Sequence, residues 1–425
     1  MMSTHDAEAS PSGVDVVDGP VRIRGPLRRL LVWMLPAWMA IFIVGGAISG
    51  LLLGLQVNDL DPATKVANLA VVMTVGAVVS LVGQPLGGLL SDRTRSRFGR
   101  RAPWIVGGSF VGGGALILMG FQHSLVGIAV CWGVSHLAYT MANGPLTAVL
   151  PDRVPRLARG TFAAFTGLGA ILAGIGGAFI GSSFSDAIPL GYTVIGAGIF
   201  VVLTMFCLAN PDRPSLDLRV ERLRIRDLPT AFWVNPAAHP DFFWAFAGRL
   251  LLYLGFGTVN GYSLYLLIDY VGLGRDGAAG FIPWMTLAAI PTGLAALLIS
   301  GPLSDRVGRR KPFVFAACLV IALGLIAPWL WPAPAAMLVM SAVLGLGFGM
   351  FQSVDTALVT DVLPSADSYA KDLGIVNIAS SLPGTLAPGM AGVIIGVSGY
   401  AALFPVGIAF VALAALAVWK IRGVK

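Results

Sequence analysis

His136, Arg249 and Asp355 each stand inside a long apolar run, where charge is costly. Ionisable groups in such runs are kept for pairing, proton relay or ligand contact. Each lies in a set of polar residues at helical spacing. His136, Tyr139, Thr140, Asn143 and Thr147 share one helix face, and Arg249, Tyr253, Phe256 and Asn260 recur at i, i+4, i+7 and i+11. An imidazole ordinarily titrates near neutrality, so His136 could relay a proton, a histidine hydrogen-bonded within its bundle being the alternative. Arg249 lies roughly 12 Å into its run at about 1.5 Å per residue. Asp355, with Gln352 one turn deeper, lies roughly 9 Å from the same face in a run of opposite direction. Arg249 and Asp355 are therefore expected within about 10 Å of each other, as part of a coupling apparatus or as a structural ion pair. Asn377, one turn from Ser381, is a weaker candidate, as are Tyr262, Tyr265 and Asp269.

A second group mixes acids into basic loops: Asp92, Arg93, Gly99, Arg100 and Arg101, and again Asp305, Arg306, Gly308, Arg309 and Arg310. An acid in an otherwise basic loop has no topogenic purpose. Asp92 and Asp305, with Asp152 and Asp361 further on, are expected to form charge-assisted bonds that clamp one face shut and release on opening. Gly99 and Gly308 are expected to supply tight turns.

The elements that position these residues must be membrane helices. Hydrophobic residues make up 56% of the 425 and charged residues only 12%, and the mean hydropathy is +0.82. Soluble chains carry about 25% charged residues, so lipid must be the solvent for most of this one. Twelve runs reach spanning length, near 30–56, 65–91, 103–121, 124–150, 160–182, 188–209, 241–269, 277–303, 312–330, 334–360, 370–396 and 400–420. In hydrocarbon such runs must be helical to satisfy their own backbone. With the N-terminus in the cytoplasm, 25 of the 28 lysines and arginines fall in cytoplasmic segments. Only Lys65 and Arg275 fall outside, and Arg249 lies within a helix. That split sets both termini in the cytoplasm and reads the +7 net charge as topology, excluding nucleic acid as a partner. Residues 1–27 read as a disordered cytoplasmic tail without a cleavable signal. Cys131, Cys207 and Cys318 lie in apolar runs and read as small hydrophobes.

The chain repeats itself. Gly99-Arg100-Arg101 and Pro103 recur 209 residues on at Gly308-Arg309-Arg310 and Pro312, and Asn143, Asp152 and Pro155 recur at the same offset as Gln352, Asp361 and Pro364. Two six-helix bundles, 28–209 and 241–425, joined by a cytoplasmic linker at 210–240, are the expectation. Transporters are commonly built so, with the solute site between repeats. The glycines of spans five and eleven are expected at the surface where the halves slide.

These loops resemble the signature of the major facilitator superfamily. Ser91 to Arg101, with Asn143-Gly144-Pro145 on span four, resembles the sucrose and glycoside cation symporters. The chain departs from the plant-type pattern with Thr147 where an arginine would stand and Pro151 before the acid. It also carries no acid between Val66 and Leu90, where the sodium-coupled branch has them. The resemblance implies an all-α fold of twelve transmembrane helices, a small polar solute with a sugar or glycoside foremost, and a proton rather than sodium as coupling ion. It also implies the inner membrane as location and action as a monomer. An efflux antiporter for a drug or metabolite is the alternative within the class, and a non-transporting sensor the alternative outside it. No enzyme, metal site or cofactor is expected: the four histidines lack ligand spacing, and no phosphate-cradling loop occurs.

Overall fold

The computed structural model describes residues 14–15, 22–216, 239–361 and 369–421. Among them, twelve helices are long and apolar enough to cross a membrane. We number them α1 (Gly25–Leu60), α2 (Lys65–Arg93), α3 (Ala102–Gly120), α4 (Leu125–Arg153), α5 (Arg159–Ser183) and α6 (Ile188–Ala209). The second set is α7 (Pro240–Asn260), α8 (Gly274–Val307), α9 (Lys311–Leu330), α10 (Pro334–Asp361), α11 (Tyr369–Ser398) and α12 (Leu403–Trp419). Prolines open α1, α3, α6, α7 and α9, where the missing N–H costs nothing. The Ser124 hydroxyl accepts the Gly127 N–H at 3.1 Å and caps α4. Upstream of α1, Val14–Asp15 pairs antiparallel with Arg22–Ile23, and α1 begins at Gly25, within the segment expected to be tail.

Two spans depart from a plain helix. In α1, Val44–Leu52 is π-helical. The seventh run, expected continuous over 241–269, stops at Asn260 and restarts as Ser263–Tyr265 and a π-turn over Leu266–Tyr270. Tertiary bonds hold this break. The Tyr262 hydroxyl reaches the carbonyls of Val66 and Pro388 at 3.2 and 3.1 Å, and the Ser263 hydroxyl donates back to Asn260 O.

The packing has pseudo-twofold symmetry. α3 packs on α6 as α9 packs on α12, α1 on α5 as α7 on α11, and α2 on α4 as α8 on α10. The two seams between halves, α2 with α11 and α5 with α8, are exchanged by the same operation. Lipid offers no hydrophobic drive for helices to meet, so close backbone approach at small residues does that work. Gly76 and Gly83 accept Trp132 and Thr140 of α4, and a Cβ on Gly87 would lie 2.2 Å from the Met141 carbonyl. Across α8 and α10, a Cβ on Gly349 would lie 2.0 Å from Gly293 O. The glycines of α5 and α11 divide differently from expectation. Gly169, Gly177 and Gly181 pack on α1 within their own half, while Gly174, Gly389 and Gly392 meet the other half at Ile290, Thr74 and Ala70. Val126, Leu298, Ile299 and Val397 point outward, as lipid contact requires.

Candidate solute cavity and its polar gates

Between the halves lies a cavity of about 610 Å³ walled by α1, α5, α7, α8 and α10. Of the residues singled out from sequence, Asn260, Phe256 and Gln352 line it. Phe256 stacks on Phe348 with ring centroids 4.8 Å apart. The Tyr253 hydroxyl donates to Gln352 Oε1 at 3.0 Å. One turn from this bond lies the ion pair: Arg249 Nη1 approaches Asp355 Oδ2 to 3.2 Å, with side chains only 12% and 4% exposed. The two charges thus meet as their depths required. Among the described residues Arg249 Nε and Asp355 Oδ2 take no hydrogen bond of good geometry, so the contact is mainly Coulombic. From cavity to interior the order is Gln352, Tyr253, then the buried pair.

The α4 stripe is placed elsewhere. No residue of α4 lines the cavity. Trp132 and Tyr139 are buried against Gly76 and Gly112, which turns the stripe into its own bundle. His136 packs on Trp132 with centroids 4.5 Å apart, and His136 Nδ1, the Tyr139 hydroxyl and Asn143 Oδ1 are buried without a hydrogen-bond partner among the described residues. Trp38 and Trp132, which could have stacked on a sugar, are buried and Trp284 is exposed, and none of the three lines the cavity.

At the arginine-rich face the acids act within one half. Arg101 Nη2 lies 2.7 Å from Asp92 Oδ1 and 2.9 Å from Asp152 Oδ2, and Arg100 Nη2 lies 2.7 Å from Asp152 Oδ2. Arg101 Nη1 also donates to Ser91 Oγ at 2.6 Å. This network ties the ends of α2, α3 and α4 to one another; among the described residues it does not bridge to the second bundle, as a clamp between halves would. Arg93 folds back onto Leu89 O at 3.3 Å. In the second half Lys311 bonds the Ile421 carbonyl, and Asp305, Arg306 and Arg309 are exposed. Asp305 forms no ion pair among the described residues, whereas Arg310 is partnered. The side chains of Asp361 and Asn377 lie outside the described residues.

Both loop glycines take positive φ, +84° at Gly99 and +64° at Gly308. A Cβ at Gly99 would also lie 2.4 Å from Asp212 Cβ, whereas at Gly308 the space is open. Left-handed backbone costs a non-glycine roughly 1–2 kcal/mol. Gly308→Ala is expected to lose about that much stability, and Gly99→Ala more, because a clash is added. Thermal unfolding of the two variants in detergent measures the order.

The opposite face carries residues that sequence reasoning passed over. Lys65, 8% exposed, bridges the halves from the first turn of α2 to Asp269 Oδ1 at 2.8 Å and also reaches Asn58 Oδ1 at 3.1 Å. The Tyr400 hydroxyl bonds the other Asp269 oxygen. Tyr265, over whose ring Lys65 lies, donates across the seam to Gly54 O at 2.9 Å. Arg275 grips Asp59 bidentately, Nε to Oδ1 and Nη2 to Oδ2 both at 2.8 Å, and donates to Ser185 O at 2.7 Å. Asp61 braces the turn that presents Lys65. The Thr64 hydroxyl and the Ala63 N–H both donate to it, holding its carboxyl below the usual range. The signal was present in sequence: Lys65 and Arg275 are the two bases on the face where the positive-inside rule expects none.

A family model described as MFS/sugar transport protein matches residues 63–419. Among curated relatives, an uncharacterised symporter of Synechocystis is 36% identical over 96 residues, 19% of this chain and 17% of that protein. The multidrug resistance protein Stp of Mycobacterium tuberculosis is 29% identical over 142 residues, 33% of this chain and 25% of that protein. The matched stretches thus span a quarter or less of those relatives. Solved structures match over nearly the whole chain. The nucleoside transporter NupG superposes with a TM-score of 0.72 at 12% identity, covering 92% of this chain and 99% of that one. A D-xylose-proton symporter superposes with 0.71 at 15% identity, covering 93% and 98%. At these identities the likeness is one of fold.

Proposed function

The chain belongs to the MFS/sugar transport protein family, and from that premise we propose that it is a proton-coupled secondary transporter of a small polar solute, a sugar or glycoside foremost. It works by alternating access in the cytoplasmic membrane, with the arginine-rich loops and both termini inside. The observation that carries this reading is the cavity between pseudo-symmetric halves, one turn removed from a buried carboxylate–guanidinium pair. A carboxylate held near a cation, yet connected to the cavity through Tyr253 and Gln352, is suited to exchange a proton as solute enters. The cross-half bonds of Lys65 and Arg275 close one end, while the cavity runs along α8 and α10 to Leu297 and Gln352 toward the other. With arginine-rich loops inside, this is a conformation closed to the exterior.

Purified protein in proteoliposomes, given a panel of free sugars and glycosides, is expected to accumulate at least one of them when the outside is made acidic, and to lose that accumulation when a protonophore is added. Accumulation that ignores the pH gradient would remove the proton from the account. The stretch shared with Stp favours efflux as a second reading. Solute leaving against its own gradient, under a proton gradient of the same sign, would establish it.

A further inference from the structure

The two halves face the cavity with opposite chemistry. From the first half come Gly45, Gly46, Gly50, Ala170, Ile171 and Gly174: no polar side chain and almost no side chain at all. Three of these glycines lie in the π-helical stretch of α1, an irregularity that recurs at functional sites. Among the described residues, polar side chains come only from the second half. The hydroxyls of Thr286 and Ser341 already donate to carbonyls of their own helices and that of Ser263 to Asn260 O at the end of α7, and all three are left to accept. The amides of Asn260 and Gln352 are exposed to the cavity, and Gln352 spends its oxygen on Tyr253. Among the described residues, no charged side chain lines the wall. Arg249 and Asp355, beyond Tyr253 and Gln352, are spent on each other.

We propose that the solute is uncharged and two-faced: a hydroxyl-bearing edge read by Asn260 and Gln352 on the second half, and a flat apolar substituent laid on the glycine wall of the first. By class it is a neutral aryl glycoside rather than a free sugar or a sugar acid. This deepens the sugar or glycoside reading and rests on it. A charged solute would have to shed water without a counter-charge, which costs more than neutral amides and hydroxyls return. A free sugar would place hydroxyls against a wall that offers no side-chain partner, leaving them unpaired. An aryl ring matches that wall, because glycine and alanine allow close, planar contact.

The test uses the full-length protein in nanodiscs and measures equilibrium binding by calorimetry. The probes are 4-nitrophenyl β-D-glucoside, β-D-galactoside and β-D-xyloside, the three parent sugars, and 4-nitrophenyl β-D-glucuronide. At least one neutral aryl glycoside is expected to bind about tenfold or more tightly than its parent sugar, with the glucuronide weaker by a similar factor. Gly45→Leu fills open space on the wall and is expected to weaken the aryl glycoside at least tenfold. Ala170→Leu repeats the test on α5 should the first variant not fold. Gly107→Leu, exposed, unobstructed and outside the cavity, is expected to change nothing. Parent sugars binding as tightly as aryl glycosides, a glucuronide binding as well as the glucoside, or no aryl glycoside binding at all would each overturn the inference. Proton-driven uptake of a free sugar in those cases would leave the transporter reading standing, and failure of the whole uptake panel would remove that reading separately.

Discussion

Asp355→Asn is expected to abolish solute accumulation driven by a pH gradient, by about 100-fold or more, the factor that roughly 2.7 kcal/mol represents. The carboxylate is 4% exposed and 3.2 Å from a guanidinium that is itself 12% exposed. Removing one member of such a pair strands the other charge in a low-dielectric interior, at a cost of about 3–5 kcal/mol. Part of the effect will therefore be on folding, and the experiment must separate the two. The variant Arg249→Met with Asp355→Leu strands no charge, and replacing a buried pair by apolar residues of similar size is often close to neutral for stability. It is expected to melt near the wild-type temperature and still fail to accumulate solute. Solute exchange down a gradient, which needs no proton, is expected to persist in it. Full accumulation by Asp355→Asn would make the pair structural only.

The second large effect is expected at the opposite face. Lys65→Glu sets two carboxylates where an ion pair now closes the seam at 2.8 Å. Like charges there repel, and the Tyr265 ring loses its cation. The balance between conformations should move toward the one open at that face, by the differential energy the bridge supplies. The readout is a cysteine at Ser263, which lines the cavity and is 8% exposed, in a background where Cys131, Cys207 and Cys318 are serine. Its labelling by a membrane-impermeant thiol reagent from outside is expected to speed up about tenfold, the change that ~1.4 kcal/mol produces. Lys65→Glu with Asp269→Lys restores opposite charges and should restore the slow rate. Unchanged labelling in the single variant would mean that the bond decorates the seam without holding it.

Most of the fold was legible because its cause is local. A helix must bring about 20 apolar residues to the bilayer, and that requirement alone set α6 at Ile188–Ala209 and placed the breaks after α3, α9 and α11. The repeat was legible for a similar reason: α4 and α10 begin 209 residues apart, the offset at which the loop glycines, arginines and acids recur. The Arg249–Asp355 contact followed from depth, which a helix converts directly from residue number.

What was not legible depended on neighbours. The π-helical stretch of α1 and the break at Gly261 leave composition unchanged, and tertiary bonds such as that of Tyr262 to Pro388 O hold the break. Periodicity gave the α4 stripe its face but not the object it faces. The missing information lay on α2, where Gly76, Gly83 and Gly87 form the surface that receives Trp132, Thr140 and the Met141 backbone. Asp92 and Asp152 do meet arginines, while Asp305 forms no ion pair among the described residues, and whether an acid's arginine belongs to the same half is a question of three dimensions. Lys65 and Arg275 were passed over because a rule about topology counts them only as exceptions, whereas packing makes them the bridges between halves.

One cavity opening to alternate faces is tested most directly by distances between paired spin labels. One pair, at Ala63 and Gly277, spans the seam closed by Lys65; the other, at Arg97 and Arg306, spans the arginine-rich face. Across ligand and pH conditions the first distance is expected to lengthen as the second shortens, each with two resolved populations. Distances that stay fixed, or that widen together, would contradict it.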